Sequence, residues 1–456
     1  MQILVILLLV GTATAWRWGG PLLAMLIAWL VCIVPVATGM IVYDYLQYAD
    51  ERYLLIIGAS IVAFYLGALL AIARSWNGAA RQQAWPPYGW DRDFAEWLPV
   101  ARVARIVGYV AIVFLIGDAL LSGRNLTDLA ALRTQVIEAT EASWLGRLAS
   151  VATWGCFFSF AFALYFRHLL TRNQLISYFL ASIGILLTAL TSAGRQAVFQ
   201  IVLLTLIVEV LRGRRLNGGQ VRRRGPARGI IVLFGCLYLT FVTMTRTSGI
   251  AGYTKSDLFL YFFNAHLQPG FESFLFSINE SLRDVVVEFL IYSTHPIALF
   301  SRFVEIDFGG HYWGMMNFPF VFRQLEPVIG YRVTDAFDFK TFYLKADSVI
   351  GVGWTTSFSS LMMDFGIAGG LIVTVVQGYL SQLANVAVQR GAGFGATLLL
   401  VLATMAAIYL PYLPLFSDTN MFFLLVIVGG ILIRRRLGAY RHSIRSLSPI
   451  GLRVER

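Results

Sequence analysis

Long apolar runs, separated by short polar segments, recur along most of the chain. A helix needs about 20 predominantly apolar residues to cross a bilayer. The pattern therefore predicts an all-α polytopic integral membrane protein with about eleven transmembrane helices (range ten to twelve) and one long external, partly helical loop. We expect spans near residues 2–15, 22–42, 53–73, 103–121, 148–166, 175–191, 196–211, 229–246, 366–389, 393–412 and 419–433.

Composition agrees with the hydropathy pattern. Of 456 residues, 58% are hydrophobic and 13% charged, and the mean hydropathy is +0.70. These values exclude a soluble enzyme, a secreted disulfide scaffold and a disordered tail. The three cysteines, Cys32, Cys156 and Cys236, each lie in an apolar run, where a thiol behaves as a small buried hydrophobe.

The net charge of +11 is concentrated in two Arg-rich stretches, residues 212–228 and 434–456. The rest of the chain is slightly acidic, which argues against DNA binding. Basic residues near helix ends are retained in the cytoplasm, so both stretches are predicted to lie there. Four predicted spans separate them, and an even number places both on one side. Counting backwards makes the N-terminus external.

The first apolar run has an alternative interpretation. It ends in Ala13-Thr14-Ala15, as a cleaved signal peptide would. However, Met1-Gln2 provides no basic segment, and cleavage would leave the next helix starting outside, against the count of spans. We therefore expect a retained helix.

Residues 247–365 form the longest hydrophilic insertion, which the count makes external. Phe, Tyr and Trp make up 23 of the 91 residues from 253 to 343, against 14% of the whole chain. This composition predicts a folded cap on the outer membrane face. The expected organisation is N-terminal helices (1–246), cap (247–365), C-terminal helices (366–433) and a basic tail (434–456).

Charged residues avoid the helix centres, where a coupled transporter usually keeps them. Those near membrane level lie at predicted external ends: Asp118, Arg195, Arg246, Asp364 and Asp418. The guanidinium of Arg195, in a short turn between two spans, can bind phosphate oxygens with two hydrogen bonds. The alternative is an Arg that anchors a helix end. For Asp364 the alternative to a site role is a helix N-cap.

The cap adds further candidates. Arg302 and Arg323, with Arg246, are cationic groups available for a diphosphate, although most such residues form ordinary surface ion pairs. His295 and His311 are candidate general bases, or polar residues with a structural role. Their spacing matches no metal site, and no nucleotide-binding motif is present, so we expect neither a metal nor a cofactor.

Two stretches resemble a known family. Thr191-Ser192-Ala193-Gly194-Arg195 before an apolar helix, and Gly353-Trp354-Thr355-Thr356 followed by Met363-Asp364-Phe365-Gly366-Ile367-Ala368-Gly369, are similar to segments of the bacterial O-antigen polymerase (Wzy-type, oligosaccharide repeat unit polymerase) family. The number of helices, the long external loop and the basic cytoplasmic ends are similar across nearly the whole chain.

The resemblance implies a membrane glycosyltransferase of the bacterial inner membrane, with its active site facing the periplasm. Such enzymes join repeat units carried on undecaprenyl diphosphate into O-antigen or a related polysaccharide. Implied partners are the lipid-linked oligosaccharide, membrane lipid and a protein that regulates chain length, with no nucleic acid. The alternatives are an O-antigen ligase, which transfers the chain to an acceptor lipid, and a non-catalytic flippase or channel for the lipid-linked unit.

Overall fold

The structure is a computed structural model that describes residues 1–16, 19–79, 89–123, 143–191, 196–216, 255–305, 312–322 and 356–446. In these ranges the helices and strands are α1 (Gln2–Ala15), α2 (Gly20–Ala37), β1 (Ile41–Tyr43), α3 (Arg52–Ala79), α4 (Trp90–Leu121), α5 (Trp144–Ala152), α6 (Trp154–Tyr165), α7 (Arg172–Thr191), α8 (Gln196–Leu216), α9 (Lys255–Phe262), β2 (Ala265–Leu267), α10 (Pro269–Phe276), α11 (Glu280–Val304), α12 (Ser357–Gln389), α13 (Phe394–Tyr409) and α14 (Thr419–Ser446).

The expectation of an all-α polytopic membrane protein is confirmed. In the described part of the chain, α2, α3, α4, the pair α5–α6, α7, α8 and α12 are long and apolar enough to cross a membrane, and α1 and α13 are apolar but shorter. Each predicted span within these ranges coincides with a helix or a helix pair. The predicted span 229–246 lies outside the described residues, as do most of the loop at 212–228 and the end of the basic tail.

One predicted span is wrong in its bounds, and another has an interruption. The predicted helix 22–42 ends at Ala37, because the chain turns at Gly39 with φ of 74°. Ile41–Tyr43 then forms β1, which pairs antiparallel with β2 so that Ile41 lies opposite Leu267. The predicted span 148–166 is confirmed as part of one candidate span, Trp144–Tyr165. It is interrupted only at Thr153, between α5 and α6, where the Thr153 hydroxyl donates to the Ala149 carbonyl at 2.7 Å.

The described buried apolar side chains form three cores. The first is formed by α4 to α8 with α13 and α14, the second by α1 to α3 with α11 and α12, and the third, in the cap, by β1, β2 and α11. The helices α3 and α12 pack with their backbones in close contact, since a Cβ on Gly67 would overlap the Val375 carbonyl and a Cβ on Gly378 would overlap the Phe64 carbonyl. Small residues permit such approach between membrane helices.

Polar contacts between distant segments divide into two layers. At the end predicted to be cytoplasmic, Asp93 accepts from the Phe394 amide at 2.8 Å, and Arg435 pairs with Glu96 at 3.3 Å. In the same layer Arg167 lies 3.0 Å from Glu209. These pairs join elements that the span count had placed on one side, so the helix directions agree with it.

The opposite layer contains the predicted external segments. The β1–β2 pair lies there, Ser143 donates to Asp118, and the Ser357 amide donates to the Leu410 carbonyl at 2.9 Å. The distribution of Arg along the sequence predicts which of the two layers faces the cytoplasm.

The helix α11 connects the cap to the membrane helices. Its first half packs with β1, β2 and α9 through Val287 and Ile291, whereas Ile297, Phe300 and Phe303 in its second half are fully buried in the second core. The cap segment was expected to lie on the membrane surface, but this helix inserts into the bundle. Its apolar spacing is interrupted by charged residues, so no span was predicted here.

Candidate functional site

The helix α12 bends near the end of the bundle that is predicted to be external. Its N-cap is Thr356, whose Oγ1 accepts from the Ser359 amide at 3.3 Å. The span was predicted to begin at residue 366, where the structure instead has a kink, because Gly366 has φ of 70° and ψ of 175°. Glycine is almost the only residue found in that region. The kink ends the first part of α12 just after Asp364.

Asp364 is completely buried and binds a segment distant in sequence. Its Oδ1 accepts from the Met316 amide at 2.9 Å. Its Oδ2 accepts from the Asn317 amide at 3.1 Å and from Asn317 Nδ2 at 2.6 Å. The alternative role expected for Asp364, an N-cap of its own helix, is wrong. The carboxylate accepts hydrogen bonds from Met316 and Asn317 instead and so fixes residues 312–322 to α12.

Asp418, which precedes α14, forms a second acidic centre. Its Oδ2 accepts from Gln196 Nε2 at 2.5 Å and Gln200 Nε2 at 2.7 Å. No described residue bonds to its Oδ1. Burial raises the pKa of Asp418 to about 6, and the Gln200 hydrogen bond only partly opposes this. The buried hydroxyl of Tyr409, which has no hydrogen-bond partner among the described residues, interacts electrostatically with the carboxylate.

The segment 312–322 joins the two acidic centres. The Phe318 and Phe422 ring centroids are 5.5 Å apart, and those of Phe320 and Phe422 are 4.8 Å apart. The Phe422 amide donates to the Asp418 carbonyl at 3.0 Å. The segment that Asp364 holds therefore packs on the first turn after Asp418. We name this region, formed by Asn317, Asp364, Asp418, Gln196 and Gln200, the outer acid site.

Arg195, the cation singled out by the sequence, lies outside the described residues, as do Arg246, Arg323, His311 and residues 353–355. Gln196, the next residue after Arg195, is described and donates to Asp418. The Gly-Arg stretch is therefore adjacent in sequence to a member of the outer acid site.

His295 and Arg302 belong to a different cluster, on α11. The hydroxyl of Tyr45 lies 3.3 Å from His295 Nδ1, and the Arg302 guanidinium lies over the Tyr45 ring at 5.8 Å. Arg302 also pairs with Glu305 at 3.3 Å.

His295 is only 2% exposed, and burial lowers its pKa to about 3. A general base must reach the substrate. The burial of His295 therefore favours the alternative role, that of a polar residue that stabilises the structure. The side chain of Arg302 is 34% exposed, which leaves its role as a cationic donor open to test.

Two features of the outer acid site were missed in the sequence. Gln196 and Gln200 are spaced by four residues and so lie on one face of an apolar helix. That spacing could have been recognised in the sequence. The sequence around Asn317 contains no pattern that would mark it as the partner of Asp364.

No group of three or more His, Cys, Asp or Glu side chains in the described ranges could hold a metal ion. Comparisons with models of known families, with curated proteins and with solved structures find no match to this chain. The fold defines an all-α polytopic membrane protein with a polar site at one end, and its function has to be inferred from that site.

Proposed function

We propose that the protein is a membrane glycosyltransferase that joins oligosaccharide repeat units, carried on undecaprenyl diphosphate, into a surface polysaccharide. It would act at the outer face of the bacterial inner membrane. One observation carries the proposal: both stretches that carry the family resemblance adjoin the outer acid site along the chain, since 191–195 directly precedes Gln196 and 363–369 contains Asp364. Gln196 binds Asp418, and Asp364 holds the segment that packs beside Asp418.

The chemistry needs a base and a cationic group. The acceptor hydroxyl oxygen attacks the anomeric carbon of the donor sugar. The bond from that carbon to the diphosphate oxygen breaks with its electron pair, and the hydroxyl proton passes to the base. A fixed guanidinium next to the leaving diphosphate stabilises its charge. Arg195 is proposed for this role, with Arg246, Arg302 and Arg323 as further donors.

Asp418 is the better candidate for the base. No described residue bonds to its Oδ1, and its raised pKa brings proton transfer closer to neutral pH. General-base catalysis contributes about 10² to 10⁴ in rate. Both carboxylate oxygens of Asp364 accept hydrogen bonds from residues of the 312–322 segment. We therefore propose that Asp364 holds this segment in place beside Asp418 and does not act as the base.

The test is deletion of the gene, followed by complementation with the wild-type protein and with Asp418→Asn. We expect surface polysaccharide with single repeat units in the deletion strain and in Asp418→Asn, and long chains with the wild-type protein. The control is Arg172→Gln, at an exposed position on the opposite layer, which should restore long chains.

Other outcomes would identify the alternatives. Full-length chains that remain on the carrier lipid would indicate a ligase. Lipid-linked single units retained on the cytoplasmic side would indicate a flippase. Either result, with normal protein levels, would reject the polymerase.

A further inference from the structure

A long groove runs along α12, α13 and α14. Its volume is about 1940 Å³, and it extends from Asn317 and Ser357 at one end to Arg74 and Arg390 at the other. Between these ends the lining is mostly apolar. Pockets for small molecules are usually about 300–1,000 Å³, so the groove suits a longer molecule with an apolar body.

The part of α14 that lines the groove has two adjacent positions without side chains. Gly429 and Gly430 line the groove, and a Cβ on either would meet nothing within 4 Å. Glycine inside a helix costs about 0.5–1 kcal/mol relative to alanine. Two consecutive glycines therefore weaken this helix while leaving the groove open.

Two guanidinium groups lie together at the end of the groove that is predicted to be cytoplasmic. Arg74 Nη1 donates to the Tyr379 hydroxyl at 2.8 Å, and Arg390 Nη2 donates to the Ser75 carbonyl at 2.8 Å. Because Arg74 and Ser75 are adjacent in sequence, the two bonds place both cations at one mouth.

The described lining at this end of the groove carries three guanidinium groups, Arg74, Arg390 and Arg435, and one carboxylate, Asp93. Arg435 pairs with Glu96, and the Asp93 carboxylate accepts from the amide of Phe394 at the start of α13. The lining therefore has an excess of positive charge next to an apolar groove. Basic pockets between helices on the cytoplasmic side bind anionic lipid headgroups.

We propose that this groove binds an anionic phospholipid of the cytoplasmic leaflet, with its phosphate at Arg74 and Arg390 and an acyl chain along Gly429 and Gly430. The site is independent of the proposed polymerase activity, since it lies at the opposite end of the groove from Asn317. The charge pattern identifies the end at which the headgroup lies, because the described lining at the Asn317 end contains no cation.

The test uses the full-length protein, purified in a neutral detergent and stripped of lipid. Native mass spectrometry would measure binding of phosphatidylglycerol and of phosphatidylcholine with the same acyl chains. We expect the wild-type protein to prefer phosphatidylglycerol. A basic residue near a charged lipid surface contributes enough to change affinity about fivefold, so Arg74→Gln and Arg390→Gln should each weaken phosphatidylglycerol binding by about that factor and leave phosphatidylcholine unchanged.

Control variants separate lipid binding from folding. Arg390→Lys keeps the charge and should retain the preference, and Arg172→Gln, on α7 in the same layer, should change nothing. Gly429→Leu should weaken binding of both lipids by filling the groove. Equal binding of the two lipids by the wild-type protein would overturn the proposal, as would an unchanged preference in both Gln variants. Displacement of phosphatidylglycerol by a polyprenyl phosphate, equally in wild-type and Arg74→Gln protein, would assign the groove to the carrier lipid instead.

Discussion

Asn317 Nδ2 donates to Asp364 Oδ2 at 2.6 Å and so joins two segments that are 47 residues apart in the chain. The Asn317 and Met316 amides complete this contact. Through it, a segment of the region predicted to be external is attached to α12 directly before its kink. Backbone hydrogen bonds from the Tyr312 amide to the Met363 carbonyl and from the Trp313 amide to the Asp364 carbonyl, at 3.1 and 3.0 Å, reinforce this attachment.

Replacing Asp364 with Asn should destabilise the protein. The amide has one oxygen to accept bonds from three N–H donors, and its own NH₂ group would face them. A buried donor left without a partner costs about 1–3 kcal/mol. Thermal unfolding in lipid nanodiscs would measure the loss. Asn317→Ala removes one of the three donors and should cost less. Equal unfolding midpoints for wild type and Asp364→Asn would show that the carboxylate does not hold the segment.

Gly366→Ala should also reduce stability, because φ of 70° with ψ of 175° is strained for any residue with a Cβ. Strain of this kind costs about 1–3 kcal/mol. The matched control is Gly430→Ala, in a helix with nothing within 4 Å of the added Cβ, and it should be neutral or slightly stabilising. If both variants unfold at the wild-type temperature, the kink is not required.

The stability of the protein should depend on the protonation of Asp418. Burial raises its pKa from 3.8 to about 6, so the folded protein binds a proton that the unfolded chain releases. This stabilisation is fully present below pH 3.8 and is lost as the pH rises through about 6.

Asp418→Asn should remove this decline in the unfolding midpoint, whereas Glu51→Gln, at an exposed position, should keep it. A decline of the same size in Asp418→Asn would assign the pH dependence to another group.

Arg195 provides a test of the diphosphate site. Arg195→Lys keeps the positive charge but loses the planar guanidinium that can donate two parallel hydrogen bonds, and Arg195→Ala removes both. If bidentate contact stabilises the leaving group, both variants should shorten the polymer, and Ala should reduce activity by about 10² to 10³. Polymer length in cells, at matched protein level, is the measurement. Long chains from Arg195→Ala would reject the role.

The orientation of the bundle can be tested by cysteine labelling. In a variant with the three native cysteines replaced by Ala, a membrane-impermeant thiol reagent should label Tyr48→Cys in intact cells, because Tyr48 is 82% exposed and predicted to be external. It should not label Arg172→Cys, an exposed position in the layer predicted to be cytoplasmic. The reverse pattern would invert the topology.

The sequence by itself determined the membrane helices. Hydropathy is a local property, and a bilayer selects segments by their length and apolar composition, so α3, α7 and α8 could be located from their own residues. The distribution of Arg then fixed an expected orientation, with which the two polar layers agree. The same local argument failed where the contacts of a segment decided its form: Ile41–Tyr43 is a strand because it pairs with β2, and α11 is buried because the second core receives Phe300 and Phe303.

Only the tertiary structure decided the partners of the acids. Asp364 and Asp418 were both visible as charges at predicted external ends, but whether each carboxylate caps a helix, holds a loop or accepts a proton depends on groups far away in the chain. Asn317 lies 47 residues from Asp364, and Gln196 lies 222 residues from Asp418. Hydrogen bonds of this kind require side chains from different helices to meet, which depends on how the helices pack and is not encoded in any single segment.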